Sequence, residues 1–466
     1  MNKPDLCKAK DRSKVDIKYI DSSKDIKPIF EGKKYFLRTY GCQMNVHDSE
    51  QIRYYLEALG YTSVDTLEDA DIVVLNTCAI RENAKDKVFG YLGRCKHLKS
   101  INKDLIIVLT GCLMQLPSEV EEIEKNHKYV DIVIGTHNLN ELPDLIIKHN
   151  KQNIEVYSNS DEVPENVEYS RDSKISAWIN IQYGCDKFCT YCIVPFTRGR
   201  ERSRRMESIL KEVEDLKNKG YLEITLLGQN VNAYGKDLNL GYDFADLLEN
   251  VAKIGIPRVR FVTSHPWNFT DRMIEIIAKY ENIMPYIHLP IQSGSDNILK
   301  KMNRRYTVDE YKKLFDTIKA RVPNVSITTD IIVGFPNETE EDFQATLDIV
   351  DYCKYDSAFT FIFSPREGTY AATLEDHVSM DEKNKRLQTL NKKVNAYAME
   401  ANKKLVGKVV DVLIIGKSEK GEDKVCGYTD TMKLVNVIGS DDLIGKIVPV
   451  KILDAKSFSL DGEVAK

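Results

Sequence analysis

The sequence predicts a mixed α/β chain in three units. These are an N-terminal parallel-sheet α/β domain at 33–150, a central partial (β/α)6 barrel at 174–404, and a small C-terminal all-β, OB-like module at 405–466. Three observations carry this. Strand-like apolar runs alternate with helix-period stretches over the first unit, which implies parallel strands with helices on their faces. Six more strand-and-helix pairs follow, a number that suits an open or partial barrel better than a flat sheet. After residue 405 the chain turns rich in Val and Ile, with short strands set off by Gly and Asp. A length of 466 residues, 42% hydrophobic and 29% charged, accommodates three globular units with sizeable cores.

In the first unit the expected strands are 35–40, 71–76, 105–110 and 130–134, with helical periodicity clearest over 49–59. Residues 151–173 are polar and read as a linker. The barrel strands are expected at 178–183, 223–227, 259–263, 286–291, 326–333 and 358–363, and a long helix over 379–405 closes that unit. The last unit offers strands at 409–415, 424–428, 434–437 and 447–453. Residues 1–32 are dense in Lys and Asp, lack the apolar core of a secretory signal, and read as a flexible extension. No apolar run reaches membrane-spanning length. A cytoplasmic location is expected, and the net charge of −5 argues against indiscriminate nucleic-acid binding.

The ten cysteines carry the chemistry. Cys185, Cys189 and Cys192 form a C-x3-C-x2-C run directly after the first barrel strand, at the end where barrel enzymes place their active sites. Three thiolates on one loop can hold three irons of a cubane and leave the fourth open. The amino and carboxylate groups of S-adenosylmethionine (SAM) are natural ligands for that iron, and electron transfer from the cluster would then release a deoxyadenosyl radical. A zinc site completed by a distant ligand is the competing reading.

Cys42, Cys78 and Cys112 are 36 and 34 residues apart, and each follows a predicted strand. In a parallel sheet the strand C-termini share one edge, so these thiols should converge, again on a cluster. Gly41 and Gly111 would let the backbone turn tightly there. Three small buried residues are the alternative. Cys7, Cys95, Cys353 and Cys426 lack partner spacing and read as structural.

Polar residues follow the barrel strands at the same edge. Gln229, Asn230, Ser264, Gln292, Asp330 and Arg366 are candidates for the SAM or substrate pocket, each with the alternative of a cap or turn role. Residues 187–205 carry Lys187, Arg198, Arg200, Arg202, Arg204 and Arg205 against one acid, Glu201. The five arginines are candidate RNA contacts, with a salt-bridged loop as the alternative. Lys300, Lys301, Arg304 and Arg305 form a second basic group. In the last unit nine Lys face ten Asp plus Glu, so RNA binding there would need uneven charge or stacking by Tyr428.

Five stretches together resemble the radical SAM methylthiotransferase family, in its MiaB-type tRNA branch. They are T-Y-G-C-Q-M-N at 39–45, N-T-C-A-I-R-E at 76–82, Y-G-C-D-K-F-C-T-Y-C at 183–192, L-G-Q-N-V-N at 227–232 and H-L-P-I-Q-S-G at 288–294. The resemblance implies an N-terminal methylthiotransferase domain, a radical SAM barrel and a C-terminal TRAM domain. It implies two 4Fe-4S clusters, one on Cys185, Cys189 and Cys192 and an auxiliary one on Cys42, Cys78 and Cys112. The implied reaction adds a methylthio group to carbon 2 of isopentenyladenosine at position 37 of tRNA, using two SAM molecules. Carbon 2 bears an unactivated hydrogen, which suits radical chemistry, so no catalytic residue beyond the clusters is expected. The expected partners are the tRNA anticodon stem-loop and an electron donor such as flavodoxin or ferredoxin, with the chain a monomer. Sibling branches act on threonylcarbamoyladenosine in tRNA or on a ribosomal-protein aspartate. A metal-binding RNA protein without catalysis is the alternative of another class.

Overall fold

The computed structural model describes residues 2–9, 16–23, 25–79, 82–149 and 151–465, with backbone alone for 82–84. Ile80 and Arg81 of the second resemblance stretch lie outside the described residues. The N-terminal unit is a six-stranded parallel sheet. Its spatial order is Thr62–Ser63, Lys34–Thr39, Ile72–Thr77, Ile106–Gly111, Ile132–Ile134, Asn153–Glu155. Every residue of Ile72–Thr77 is buried, as expected of a parallel strand covered on both faces. Its alternate side chains divide between two cores. Val73 and Leu75 pack with Val88, Leu92 and Cys95 of helix Glu82–Ile101. Ile72 and Val74 pack with Ile52, Tyr55 and Leu56 of helix Gln43–Ala58.

The segments expected as extension and linker take part in this architecture. Lys18–Asp21 pairs in parallel with Glu162–Glu165, and Asn2 bridges to Glu155 at the sheet edge. Residues 151–173 therefore supply an edge strand and half of a second small sheet. Each of these strands has only three or four residues, too few to show a period. Residues 1, 10–15 and 24 of the expected extension lie outside the described set.

In the second unit six parallel strands run in chain order. Ser176–Asn180, Glu223–Leu227 and Arg258–Phe261 form one sheet, and Tyr286–His288, Ser326–Val333 and Ser357–Ile362 the other. A bridge between Val259 and Ile283 joins the two into a partial barrel. Helix Met380–Lys403, capped by the Ser379 hydroxyl, packs along the outer face of Ser357–Ile362.

The third unit is a closed five-stranded barrel. Its strands run Val409–Lys417, Lys424–Thr429, Leu434–Ile438, Leu460–Val464, Ile447–Ala455 and back to the first. Leu460–Val464 is an addition to the expected four; a short strand with Asp and Gly at its centre carries little sequence signal. The module docks at the N-terminal end of the large barrel, where Arg258 donates to the carbonyls of Tyr428 and Asp411 at 2.7 and 2.9 Å. Lys433 pairs with Asp356 at 3.1 Å beside them.

Candidate functional site

Cys42, Cys78 and Cys112 follow three adjacent strands of the parallel sheet, at its C-terminal edge. Gly41 has φ +126° and Gly111 has φ +99°, backbone that favours glycine. A Cβ on Gly41 would lie 2.7 Å from Cys78 Cβ and 2.9 Å from its Sγ, so the first two cysteine loops touch. Asn45 is the strut between the loops. Its Nδ2 donates to the carbonyls of Tyr40 and Thr77 at 2.9 and 2.8 Å, and its Oδ1 faces the Cys112 thiol at 3.6 Å. Burial pushes the Cys112 thiol up to about 12; Arg198 opposes that shift while Cys42 and Cys78 add to it.

The second triad sits at the top of the barrel. Cys185 and Cys189 are buried and Cys192 half-buried. Burial raises the Cys192 thiol to about 12 and the Cys185 thiol well above its ordinary value, the latter raised further by the nearby Glu201 charge. Arg304, fully enclosed, directs Nη1 at Cys189 Sγ at 3.5 Å. Phe188, inside this loop, has φ +48°. Asn303 holds the loop there by donating to the carbonyl of Phe188 at 3.1 Å.

Arg198 connects the two triads. It follows Cys192 by one short helical turn, Val194–Thr197. Its Nε donates to Cys112 Sγ at 3.2 Å, and its Nη2 donates to Asn45 Oδ1 and Asp48 Oδ2 at 2.8 and 2.6 Å. Each triad thus has one buried guanidinium on a sulfur. That donor set fits a cluster held by thiolates, whose negative charge a buried cation offsets. Among the described residues no three His, Cys, Asp or Glu side chains close on the spacing of one metal ion. Cysteines that hold a cubane each bind a different iron, and the two triads meet that looser requirement.

The expected pocket residues divide. Asn230 Nδ2 donates to Glu201 Oε1 at 3.4 Å and to Asn268 Oδ1 at 3.2 Å. Gln229 Oε1 and Asn230 Oδ1 are buried without a partner among the described residues. Burial raises the Glu201 carboxyl, against the pull of Lys187. Glu201 therefore lies beside Cys185 with Asn230 against it; Glu201 was not singled out from the sequence because it stood as one acid among six bases. Asp330 Oδ2 lies 3.3 Å from His288 Nε2 inside the barrel. Gln292, at φ +74°, is held by backbone pairing to Asp330 and Ile332. Arg366 is half-buried in the loop after the last strand. Ser264 is buried, and its hydroxyl donates to the carbonyl of His288.

The five arginines of the basic stretch differ in exposure and partners. Arg198, Arg202 and Arg204 are buried. Arg204 pairs with Glu165 and Glu212, while Arg202 donates to the carbonyl of Ser160 and lies over the Tyr183 ring. They tie the 151–173 segment to the barrel, and withdrawing them to reach phosphates would break buried pairs. Arg200 is held in a two-point pair by Asp186 at 2.6 and 2.9 Å. Arg205 alone of the five is exposed, its guanidinium 4.1 Å from the Tyr19 ring centre. An exposed aromatic group lies elsewhere at the barrel mouth. Trp267, 48% exposed, has Lys187 at 4.9 Å and Arg305 at 5.2 Å from its ring centre.

Three family models match the chain in succession. Residues 179–350 match the Radical SAM superfamily, 34–135 the family described as Uncharacterized protein family UPF0004, and 403–465 the TRAM domain. The chain is 51% identical over 466 residues to the tRNA-2-methylthio-N(6)-dimethylallyladenosine synthase of Staphylococcus epidermidis, covering 98% of this chain and 91% of that one. It is 51% identical over 468 residues to the synthase of the same name from Bacillus subtilis, covering 99% and 92%. Among solved structures, the radical SAM methyltransferase TsrM of Kitasatospora setae, with cobalamin and a [4Fe-4S] cluster bound, shares the fold at a TM-score of 0.53 and 14% identity, over 73% of this chain and 77% of that one. From the cysteine edges, the three units in this order and the full-length identity, the chain belongs to the radical SAM methylthiotransferase family, in its tRNA-2-methylthio-N(6)-dimethylallyladenosine synthase branch.

Proposed function

We propose that this chain adds a methylthio group to carbon 2 of N6-dimethylallyladenosine (isopentenyladenosine) at position 37 of tRNA. The observation that carries the reading is Arg198, which runs from the Cys185–Cys189–Cys192 loop to the sulfur of Cys112 and so makes one site of two cysteine triads. Cys185, Cys189 and Cys192 would hold the SAM-binding 4Fe-4S cluster, and Cys42, Cys78 and Cys112 the auxiliary one. When bound, the clusters and SAM supply a carbon radical to remove the unactivated hydrogen and a sulfur to replace it.

The chain's own residues do the rest. Arg198 and Arg304 offset thiolate charge in a water-poor setting. Glu201, beside Cys185, and Asn230 against it offer acceptors that suit the ammonium of SAM, a group with three N–H donors and no acceptor. Lys187, Trp267, Arg305 and Arg205 replace the buried arginines as the groups that meet the anticodon stem-loop. Stacking on an exposed indole and charge on the phosphates are the usual terms for a single-stranded loop. The units 33–150, 174–404 and 405–466 are part of this proposal, as are cytoplasmic action as a monomer and a one-electron donor such as flavodoxin or ferredoxin. Among the described residues no helix is long and apolar enough to cross a membrane.

The test is a pair of variants. Cys42→Ala is expected to abolish methylthiolation of prenylated RNA and to retain reductive SAM cleavage; Cys185→Ala is expected to abolish both. Loss of SAM cleavage in a folded Cys42→Ala chain would contradict the division of labour.

A further inference from the structure

Arg202 is a buried cation, 3% exposed, that meets carbonyls and no carboxylate among the described residues. Its Nη1 donates to the carbonyl of Ser160 and its Nη2 to that of Arg198 at 3.5 Å, while its Nε has no partner among the described residues. The acids whose charge reaches it are spent elsewhere. Asp161 pairs with Lys18 at 2.7 Å, Asp186 with Arg200 at 2.6 Å, and Asp237 accepts from the amide and hydroxyl of Ser203, both at 2.6 Å. Burial lowers the guanidinium to about 10, so it stays charged at neutral pH. A buried charge left unpaired is costly.

Beside it, between the N-terminal sheet and the barrel, lies a cavity of about 50 Å³. Its wall includes His47, Asp48 and His137 of the first unit, Glu162 of the 151–173 segment, and Arg198 and Arg202 of the barrel. No cysteine lines it, so it is separate from both triads. Of the two acids on the wall, Asp48 is paired with Arg198 at 2.6 Å, and Glu162 stands in register with Lys18. The Nε2 atoms of His47 and His137 are buried without a partner among the described residues, as Arg202 Nε is. A Cβ on Gly199 would lie 3.1 Å from His137 Cε1 and 3.3 Å from Arg202 Nη1, so both side chains approach the same bare glycine. Burial, with the charges of Arg202 and Arg198, holds His137 well below its ordinary value, and a neutral imidazole still offers one N–H.

We propose that this cavity binds one small inorganic oxyanion of phosphate or sulfate size, with Arg202 and His137 as its donors. An oxyanion carries several acceptor oxygens, so it can take a charge-assisted bond from the guanidinium and a second bond from the imidazole at once. The cavity has room for a few water-sized groups and far less than a nucleotide needs. The anion supplies the counter-charge that Arg202 lacks. It also ties the N-terminal sheet, through His137, to the barrel, through Arg202.

The experiment is equilibrium dialysis of the anaerobically reconstituted full chain against radiolabelled inorganic phosphate at fixed ionic strength. The expected result is saturable binding of a single phosphate per chain, competed by sulfate. Arg202→Met, which keeps a long side chain and loses the charge, and His137→Leu are each expected to weaken binding at least about tenfold, as loss of one side of a buried charged hydrogen bond does. His137→Gln, whose amide keeps an N–H, is expected to retain most of the affinity. Arg205→Ala, at the exposed end of the same stretch, is expected to leave it unchanged, which separates the cavity from the surface. No saturable binding in the wild type would overturn the site, as would wild-type affinity in a folded Arg202→Met or His137→Leu chain. Where Arg202→Met does not fold, His137→Leu decides. Displacement of phosphate by chloride at equal concentration would overturn the oxyanion assignment. Displacement by an anticodon stem-loop RNA would make the bound group a backbone phosphate and overturn the free ion.

Discussion

Arg198 is the residue on which the site turns. It spends its donors on Cys112, Asn45 and Asp48 inside the protein. Arg198→Ala is expected to leave Asp48 without its cation and to loosen the auxiliary cluster, so that about half the iron is lost on desalting while the other triad keeps its share; breaking a buried pair costs about 3–5 kcal/mol. The salt dependence of RNA binding should stay at its wild-type slope, whereas Arg205→Ala should lower that slope by about one. A changed slope with iron intact in Arg198→Ala would restore the phosphate-contact reading. The six cysteines were legible because spacing and strand ends constrain where thiols go. The role of Arg198 was not, since a run of arginines reads the same in one dimension whether it faces solvent or a buried carboxylate. Asn45 and Glu201 escaped for a related reason: their partners, Thr77 and Asn230, are far away in sequence.

At the scale of elements, the strands that bear the chemistry were the easiest to read. Ile72–Thr77 and Ile106–Gly111 are continuous apolar runs because helices cover both faces. The pairing of Lys18–Asp21 with Glu162–Glu165 could not be read, because it joins two four-residue strands across more than a hundred positions. It matters near the site all the same: Glu165 on that strand receives Arg204 and so ties the 151–173 segment to the barrel. The C-terminal module was legible as a β unit, but its docking was not, because Arg258 binds backbone carbonyls that leave no mark in the sequence. Arg258→Ala is expected to cost about 1.5–3 kcal/mol, the range for hydrogen bonds to a charged group. It should also free the module, seen as faster proteolysis between residues 403 and 409 in an otherwise folded chain. Unchanged proteolysis would mean that Lys433 and the apolar contacts hold the module without it.

At the scale of the molecule, three units divide one task. The parallel sheet presents three cysteines along one edge, the partial barrel presents three on one loop, and a buried arginine joins them. Beside the barrel triad, Glu201 and Asn230 offer paired acceptors. On the proposed function, a net charge of −5 would leave RNA recognition to local groups such as Lys187, Trp267 and Arg305 at the mouth. The measurement that bears most directly on this arrangement is iron and acid-labile sulfide in anaerobically reconstituted chains, wild type beside Cys42→Ala. The expected result is about eight irons in the wild type and about four in the variant, two cubanes and one. About four irons in the wild type, or the same content in both, would mean that the parallel-sheet triad holds no cluster and would contradict the two-centre site.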